Sequence, residues 1–479
     1  MAKYFIHSHL LWLTNRAASS ATGGYTDPVS KQRQRAIEMS SKEYGSAGLD
    51  PEFEEVEGDV IIDAQEVEEV VEDDGEEPMD EDYGDDNDEE VDAADMAAMA
   101  EEFEGNGVSV NAEGNLEIDL RNNSQSYFED HQDSIFTVAA HPTLPIAVTG
   151  GGDNVGYMWT THNNPAKTVT KLVGYGESVI ASAFTSDGSY LVTGDMSGKV
   201  IVYKSSKKGQ QWDVYDRVLE DVEEVMWLKT HPKQNVFAFG GIDGSVSVYS
   251  IEPSLELIFS GYSHSTECTN GAFVQVDDMD VLKLVTCSED GSIIGWNCYT
   301  QQTDFKLDST SMKGLTPPWV SIAVYTDSKV VALGSRDSQV AILNAENGAL
   351  LTMFTALEIK EDGDIYDASI EAISWCEVLN LMVVGFVSGD VLIFDTNTWK
   401  VRRALKCGDA VTKITFLPKS PIFLVSSMDG KVYKWDARTG ELLHECLGHH
   451  MGVLDFSVDC SGERLITAGD DGVSLVFKF

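Results

Sequence analysis

The chain has 479 residues and a formal net charge of −47, so it is long enough for two or three domains or for one large repeat array. A chain this acidic repels nucleic acid and anionic membranes and attracts basic partners, so direct nucleic-acid binding and membrane binding are not expected. Its seven cysteines are an odd number without a CxxC pair, which indicates reduced thiols of a cytoplasmic or nuclear protein rather than a disulfide frame or a zinc site.

The first part of the chain divides into segments of different charge. We expect residues 1–49 to be a disordered extension or an over-extended gene model, with Met39 as the true start. A transit peptide is the alternative, because residues 1–26 contain no acid. Residues 50–104 contain 28 Asp and Glu and no Lys or Arg, so we predict that the acidic region 50–114 is disordered. Such a region acts as a solubilising brush, or as a decoy that competes with RNA for a basic partner.

From residue 115 to residue 479 one pattern recurs eight times. Each copy contains a small residue or Thr, then a turn that often includes Asp-Gly, and then alternating apolar residues. The residues that close the eight copies are Trp159, Tyr203, Tyr249, Trp296, Leu343, Phe394, Trp435 and Phe477. Their spacing of 41 to 51 residues is the period of a four-stranded propeller blade, whose faces are covered only by stacking on its neighbours. We therefore predict an all-β fold, an eight-bladed WD-repeat β-propeller.

Two of the copies contain residues that resemble the structural tetrad of WD repeats. The first copy has His131, Thr149, Asp153 and Trp159. The eighth copy has His449, Thr467 and Asp471, with Phe477 in the Trp position. A hydroxyl, a His and an Asp also make up a catalytic triad. Because the set recurs around the ring, we interpret it as a hydrogen-bond network that fixes the turn between strands.

The last copy supplies only three strands before the chain ends at Phe479. The segment NLEIDLR, residues 115–121, alternates apolar and charged residues, as a strand does. We predict that it pairs with the outer edge of the last strand, closes the ring and removes an exposed edge.

No catalytic pattern is present in the sequence. It contains no Walker-type phosphate loop, no Cys/His metal spacing and no nucleophile elbow, so we expect neither an enzyme nor a cofactor. A propeller without such a site is typically a platform for a partner.

The residues just before the first strand of each blade face the rim of the central channel in WD-repeat propellers. In six blades an acid stands at or next to this position: Asp133, Glu177, Glu223 with Glu224, Glu267, Asp367 with Glu371, and Asp409. Blade five has Trp319 there and blade eight has Met451, and both side-chain types can seat arginine stems beside carboxylates. An ordinary solvated acidic face is the alternative, since residues 105–479 contain 27 basic and 49 acidic residues. Like charges gathered on one ring repel each other, which favours a functional reason.

Long stretches from about residue 119 onward resemble one family in particular. They include NNSQSYFEDHQDSIF, TGGGDN, GYGESVI, DMSGKV, VEEVMWLKTHP, DASIEAISW, GHHMGVLDF and TAGDDGVSLVF. Their order is similar to that of the yeast-type ribosome-assembly WD-repeat proteins, which are related to the animal angio-associated migratory cell protein. The resemblance implies a dedicated chaperone. It would hold the basic N-terminal segment of a newly made large-subunit ribosomal protein, of the universal L-sixteen family, on its acidic face, and deliver it to late pre-60S particles.

Within that resemblance, three of the acids lie in matching motifs. They are Glu177 in GYGES, Glu224 in VEEV and Glu371 in SIEA. Asp133 and Asp409 lie in less distinctive motifs. Two other functions remain open at this point: a general scaffold in signalling or migration, and a histone-type chaperone in which the acidic tail binds and the ring is passive. We expect a cytoplasmic or nuclear monomer, because a closed ring leaves few edges for self-pairing.

Overall fold

The computed structural model describes residues 121–218, 222–325, 329–358 and 364–479, together with the backbone of two short strands before them. These are β1 (Val108–Val110) and β2 (Leu116–Ile118), which pair antiparallel with each other. Residues 1–49 and most of the acidic region 50–114 lie outside the described residues, so what was predicted for them stays a prediction.

The ring consists of eight antiparallel four-stranded sheets, numbered here as blades one to eight in chain order. The first strand, β3 (Ser126–Phe128), belongs to blade eight. Blades one and two contain β4 (Ile135–Ala140), β5 (Ile146–Gly151), β6 (Gly156–Thr160), β7 (Thr168–Leu172), β8 (Val179–Phe184), β9 (Tyr190–Asp195), β10 (Val200–Ser206) and β11 (Gln211–Val218). Blades three and four contain β12 (Val225–Thr230), β13 (Val236–Gly241), β14 (Val246–Ser250), β15 (Glu256–Gly261), β16 (Cys268–Val274), β17 (Lys283–Ser288), β18 (Ile293–Asn297) and β19 (Gln302–Leu307).

The second half of the ring repeats this order. Blades five and six contain β20 (Trp319–Val324), β21 (Val330–Ser335), β22 (Gln339–Asn344), β23 (Leu350–Thr355), β24 (Ile370–Trp375), β25 (Leu381–Phe386), β26 (Asp390–Asp395) and β27 (Lys400–Lys406). Blades seven and eight contain β28 (Val411–Phe416), β29 (Ile422–Ser427), β30 (Val432–Asp436), β31 (Glu441–Cys446), β32 (Val453–Val458), β33 (Arg464–Gly469) and β34 (Ser474–Lys478). Two 3-10 turns, Lys207–Gly209 and Ile365–Ala368, lie in connections.

The innermost strands are β4, β8, β12, β16, β20, β24, β28 and β32. They contact one another around a closed circle, with β32 against β4. The core is divided into eight apolar clusters, each of which fills the gap between two neighbouring blades. Each cluster draws its side chains from two sheets, so the faces of each sheet are covered by its neighbours; that a sheet is stable only between neighbours stays a prediction. The eight-bladed WD-repeat propeller predicted from the sequence is confirmed.

An N-terminal strand does close the ring, but the segment predicted for this role was wrong. The outer edge of β34 pairs with β3, with Ser126 opposite Val476 and Phe128 opposite Ser474. The predicted segment, residues 115–121, contributes β2, which pairs with β1 instead. The reason is packing, since the Phe128 ring is 3% exposed and stacks on Trp159 with the ring centroids 5.0 Å apart, within the cluster between blades eight and one.

A β-bulge interrupts every innermost strand at its second residue. In β4, for example, the register shifts between Ile135 and Thr137, and the same shift occurs in the other seven innermost strands. A bulge re-aims the extra side chain and strengthens the local twist, so these residues do not follow the alternation of the rest of the strand. Glu371 is the bulged residue of blade six.

Candidate functional site: the acidic mouth of the central channel

The tetrad of blade one forms a buried hydrogen-bond chain. His131 Nδ1 lies 3.1 Å from Asp153 Oδ1, and His131 Nε2 lies 2.9 Å from Thr149 Oγ1. Trp159 Nε1 donates to the same hydroxyl oxygen at 3.2 Å. Burial lowers the pKa of His131, so the ring is neutral, Nδ1–H donates to the carboxylate and Nε2 accepts from Thr149. All donors and acceptors are used within the blade, which supports a structural role rather than a catalytic one.

Blade eight repeats this network without the tryptophan. His449 Nδ1 lies 3.1 Å from Asp471 Oδ1, and His449 Nε2 lies 2.7 Å from Thr467 Oγ1. Phe477 is buried in the position of the tryptophan and has no donor to offer. The carboxylate of Asp471 has a lowered pKa despite its burial, because His449 and nearby backbone N–H groups hydrogen-bond to it.

A third tetrad, in blade four, was missed in the sequence. Thr286 Oγ1 lies 2.8 Å from His264 Nε2 and accepts from Trp296 Nε1 at 2.8 Å. The other ring nitrogen of His264 meets Ser292 Oγ at 2.6 Å, while Asp290 accepts from the backbone of Ser265 at 2.7 Å. Burial lowers the pKa of His264 to about 4. The available signal was position, since His264 precedes β16 by the same four residues that separate His131 from β4.

The eight innermost strands all begin at the same end of the channel, because each blade has four antiparallel strands and then passes to the next blade. We call this end the mouth. A repeated backbone hydrogen bond fixes its geometry: the N–H that follows the second strand donates to the carbonyl of the residue before the innermost strand. Its lengths are 2.8–3.1 Å in seven blades of the described chain, with the pairs Gly152–Ser134, Met196–Ser178, Ile242–Glu224, Arg336–Pro318, Val387–Ser369, Met428–Ala410 and Asp470–Gly452.

Four of the predicted acids occupy equivalent places at the mouth. Asp133, Glu177, Glu223 and Asp409 each lie two residues before an innermost strand. The first three are exposed and Asp409 is half-buried. In blade eight the same place is taken by Met451, which is 47% exposed. Blades seven, eight, one, two and three therefore present a continuous arc of four carboxylates and one thioether, which we call the open arc.

Two other predicted acids lie one residue deeper. Glu224 is buried, with 5% of its surface exposed, and its carbonyl accepts from Ile242 N at 3.1 Å. Glu267, in blade four, is half-buried. The carboxylate that blade three offers to solvent is therefore that of Glu223, although the family motif had drawn attention to Glu224.

Comparison with known proteins identifies the chain's relatives. The model of the WD domain, G-beta repeat, matches residues 166–204, and that of the anaphase-promoting complex subunit 4 WD40 domain matches residues 373–459. The chain is 45% identical over 383 residues to ribosome assembly protein SQT1 of Saccharomyces cerevisiae, an alignment covering 76% of this chain and 88% of that protein. The chain belongs to the Sqt1 family. It is also 26% identical to the human angio-associated migratory cell protein, over 74% of this chain and 80% of that protein.

Solved structures of the Sqt1 family agree with the fold. The crystal structure of S. cerevisiae Sqt1 superposes with a TM-score of 0.71 and 45% identity, over 74% of this chain and 99% of that one. Chaetomium thermophilum Sqt1, bound to the N-terminus of the ribosomal protein L10, superposes with a TM-score of 0.67 and 28% identity, over 75% of this chain and all of that one. The family that the sequence motifs indicated is thus confirmed.

The remaining predicted residues lie in blades five and six of this Sqt1-family ring. Glu371 Oε1 accepts from Ser369 Oγ at 2.6 Å, and burial raises its pKa. Asp367, three residues before β24, also has a raised pKa, because of burial and the nearby carboxylate of Asp364. The prediction that Trp319 seats a ligand was wrong, since its side chain is completely buried and its Nε1 donates to the Gly291 carbonyl at 3.1 Å.

The channel below the mouth has a different charge. Lys413 Nζ donates to Asp455 Oδ1 at 2.7 Å and to the Phe456 carbonyl at 2.8 Å. Lys229 lies on the opposite side of the ring. Its pKa is lowered by desolvation and, to a smaller extent, by the positive charge of Lys413 across the channel. Two lysines and one carboxylate of the innermost strands therefore lie below the acids that stand at the mouth.

Within the described residues, no group of three or more His, Cys, Asp and Glu side chains has a metal-binding arrangement. The same part of the chain contains no helix with the length and apolar character that a membrane crossing requires.

Proposed function

We propose that this protein is a dedicated chaperone. It captures the basic N-terminal segment of a newly made large-subunit ribosomal protein on the acidic mouth of its propeller and supports incorporation of that client into late 60S pre-ribosomes. The observation that carries the proposal is the open arc, in which Asp409, Asp133, Glu177 and Glu223 stand at equivalent positions of neighbouring blades. The complex of C. thermophilum Sqt1 with the N-terminus of ribosomal protein L10 supports it from a relative.

Charge explains both capture and release. One exposed ion pair contributes only about 0–1 kcal/mol, but several along one arc give fast capture that weakens with salt. A free ribosomal protein has a basic segment made for RNA, and the carboxylates shield that segment reversibly. The rRNA phosphates then outcompete the arc, because their charge density is higher. This role requires no catalytic group and places the protein in the cytoplasm or the nucleus, as a monomer.

Calorimetric titration tests the proposal directly. The basic N-terminal peptide of ribosomal protein L10 is titrated into the full chain, into Glu177→Lys and into Glu223→Lys, at two salt concentrations. Glu441→Lys, in the outer strand β31, is a matched control because it changes the net charge equally at an exposed position away from the mouth. We expect salt-sensitive binding that both mouth variants lose and the control retains.

Two outcomes would redirect the proposal. Binding that is indifferent to all three reversals, but is lost when residues 50–104 are deleted, would assign capture to the acidic tail. No binding by the unmodified chain would leave the ring as a scaffold for another partner.

A further inference from the structure

One arginine already occupies part of the mouth. The backbone N–H of Arg336 donates to the Pro318 carbonyl at 2.9 Å, so this residue has the same place in blade five that Glu289 has in blade four. The Arg336 guanidinium forms an ion pair with the Glu289 carboxylate of that neighbouring blade. Both side chains are partly enclosed, with 26% of Arg336 and 18% of Glu289 exposed.

The same arginine also acts on the blade on its other side. Its positive charge lowers the pKa of Glu371 in blade six, which opposes the effect of burial on that carboxylate. Arg336 thus lies between acids of blades four and six. Blade five itself offers no acid before its innermost strand, where Pro317 and Pro318 stand directly ahead of the buried Trp319 of β20.

A guanidinium is the group that best matches a carboxylate, because its donors form a planar fork. An arginine of a bound peptide would compete with Arg336 for the carboxylates of Glu289 and Glu371. We propose that Arg336 is an intramolecular competitor that fills the cation-binding place of blades four to six, so that the client's basic residues are directed to the open arc of blades seven to three. This proposal rests on the proposed function and states which sector of the mouth the client uses.

The expected consequence is a gain of affinity when the competitor is removed. In Arg336→Gln the guanidinium no longer competes with an incoming cation for the carboxylates of Glu289 and Glu371, while the amide can still hydrogen-bond within the loop. One or two further cation–carboxylate contacts should tighten peptide binding by roughly three- to tenfold. The salt dependence should become steeper, because more ionic contacts form.

The experiment compares two variants with the same change of net charge. The L10 N-terminal peptide is titrated into the full chain, into Arg336→Gln and into Arg402→Gln. Arg402 lies in the outer strand β27, is 50% exposed and faces Asp395 at 4.0 Å, so it reports the effect of losing one positive charge away from the mouth. We expect tighter binding by Arg336→Gln alone, and loss of that gain in the double variant Arg336→Gln, Glu289→Gln.

Equal gains in Arg336→Gln and Arg402→Gln would overturn the proposal, because the effect would then be one of net charge. Weaker or unchanged binding by Arg336→Gln would also overturn it and make Arg336 a structural tie between blades. If that variant does not fold, Arg336→Lys, which keeps the charge but not the fork, is used, and it must bind more tightly than the unmodified chain.

A hexa-arginine peptide, titrated in parallel, separates this proposal from the proposed function. The L10 peptide could fail to bind while hexa-arginine binds Arg336→Gln more tightly than the unmodified chain. That result would reject the L10 segment as the client and support Arg336 as an intramolecular competitor. If the L10 peptide binds and neither peptide gains from the substitution, the client stands and the competitor is rejected.

Discussion

Replacing Phe128 by alanine tests how the ring is held closed. The Phe128 ring is 3% exposed, stacks on Trp159 at a centroid distance of 5.0 Å and an interplanar angle of 3°, and meets Tyr157 edge-on at 5.5 Å. Truncation of a buried Phe to Ala costs about 3–5 kcal/mol through lost transfer energy and the cavity left behind. The aromatic contacts account for roughly 0.5–1.5 kcal/mol of that cost. We therefore expect Phe128→Ala to lower the free energy of unfolding by about 3–5 kcal/mol.

The adjacent residue provides the control. Tyr127 lies on the same strand with its side chain on the other face, 39% exposed, so Tyr127→Ala should change stability by no more than about 0.5 kcal/mol. Urea denaturation followed by tryptophan fluorescence measures both variants, and limited proteolysis at the start of β3 reports local opening. Equal stability of the two variants would show that β3 does not close the ring and would refute the assignment.

Three further predictions concern stability and closure. Thr149→Val leaves the Trp159 N–H and His131 Nε2 without partners, so it should lower the free energy of unfolding by about 2–4 kcal/mol in urea denaturation. The control Thr310→Val, at an exposed position, should leave that free energy almost unchanged. A loss below about 0.5 kcal/mol in Thr149→Val would contradict the tetrad. His264 has a pKa of about 4 in the folded state and an ordinary pKa in the unfolded state. The unfolded state therefore takes up the proton first, and the free energy of unfolding falls as the pH drops from about 6.5 towards 4. His264→Gln should remove roughly 2 kcal/mol of the stability loss between pH 7.5 and pH 5, and an unchanged pH profile would contradict a neutral histidine. A chain begun at residue 119 should melt at the same temperature as the full chain, whereas one begun at residue 130, which lacks β3, should melt lower. A lower melting temperature already in the chain begun at residue 119, with no further loss in the one begun at residue 130, would restore the segment 115–121 as the closing strand.

The sequence was sufficient for the number of blades and for their order, because turn residues and alternating strands recur at blade spacing. It was insufficient for the closing strand. Residues 115–121 alternate well and do form a strand at Leu116–Ile118, but pairing partners are chosen by packing, which alternation does not record. The true closing strand has only three residues, and what selects it is the fit of Phe128 against Trp159.

The acids of the mouth were located by counting back from each innermost strand, and the count worked for the open arc. It was wrong for Trp319 because that residue is itself the first residue of β20, a place that is fully buried in every other blade. It did not distinguish Glu223 from Glu224, since exposure at successive loop positions depends on backbone direction. Arg336 was missed because its ion pair joins residues of different blades, which no local pattern reveals.

The pairing of β3 with β34 also has a consequence during synthesis. Asn123, just before β3, accepts a hydrogen bond at its side-chain oxygen from Leu447 N, a residue 324 positions later, and β34 follows later still. At about 5–20 residues per second the ribosome needs roughly 20 to 60 s to make that interval. During this time the apolar face of blade one lacks Ile466, Ala468 and Val476 of blade eight, which have not yet been made. A chain that stops before Ser474 therefore leaves β3 without a strand to pair with and the outer part of the cluster between blades eight and one uncovered, the kind of surface by which chaperones and proteases select incomplete chains.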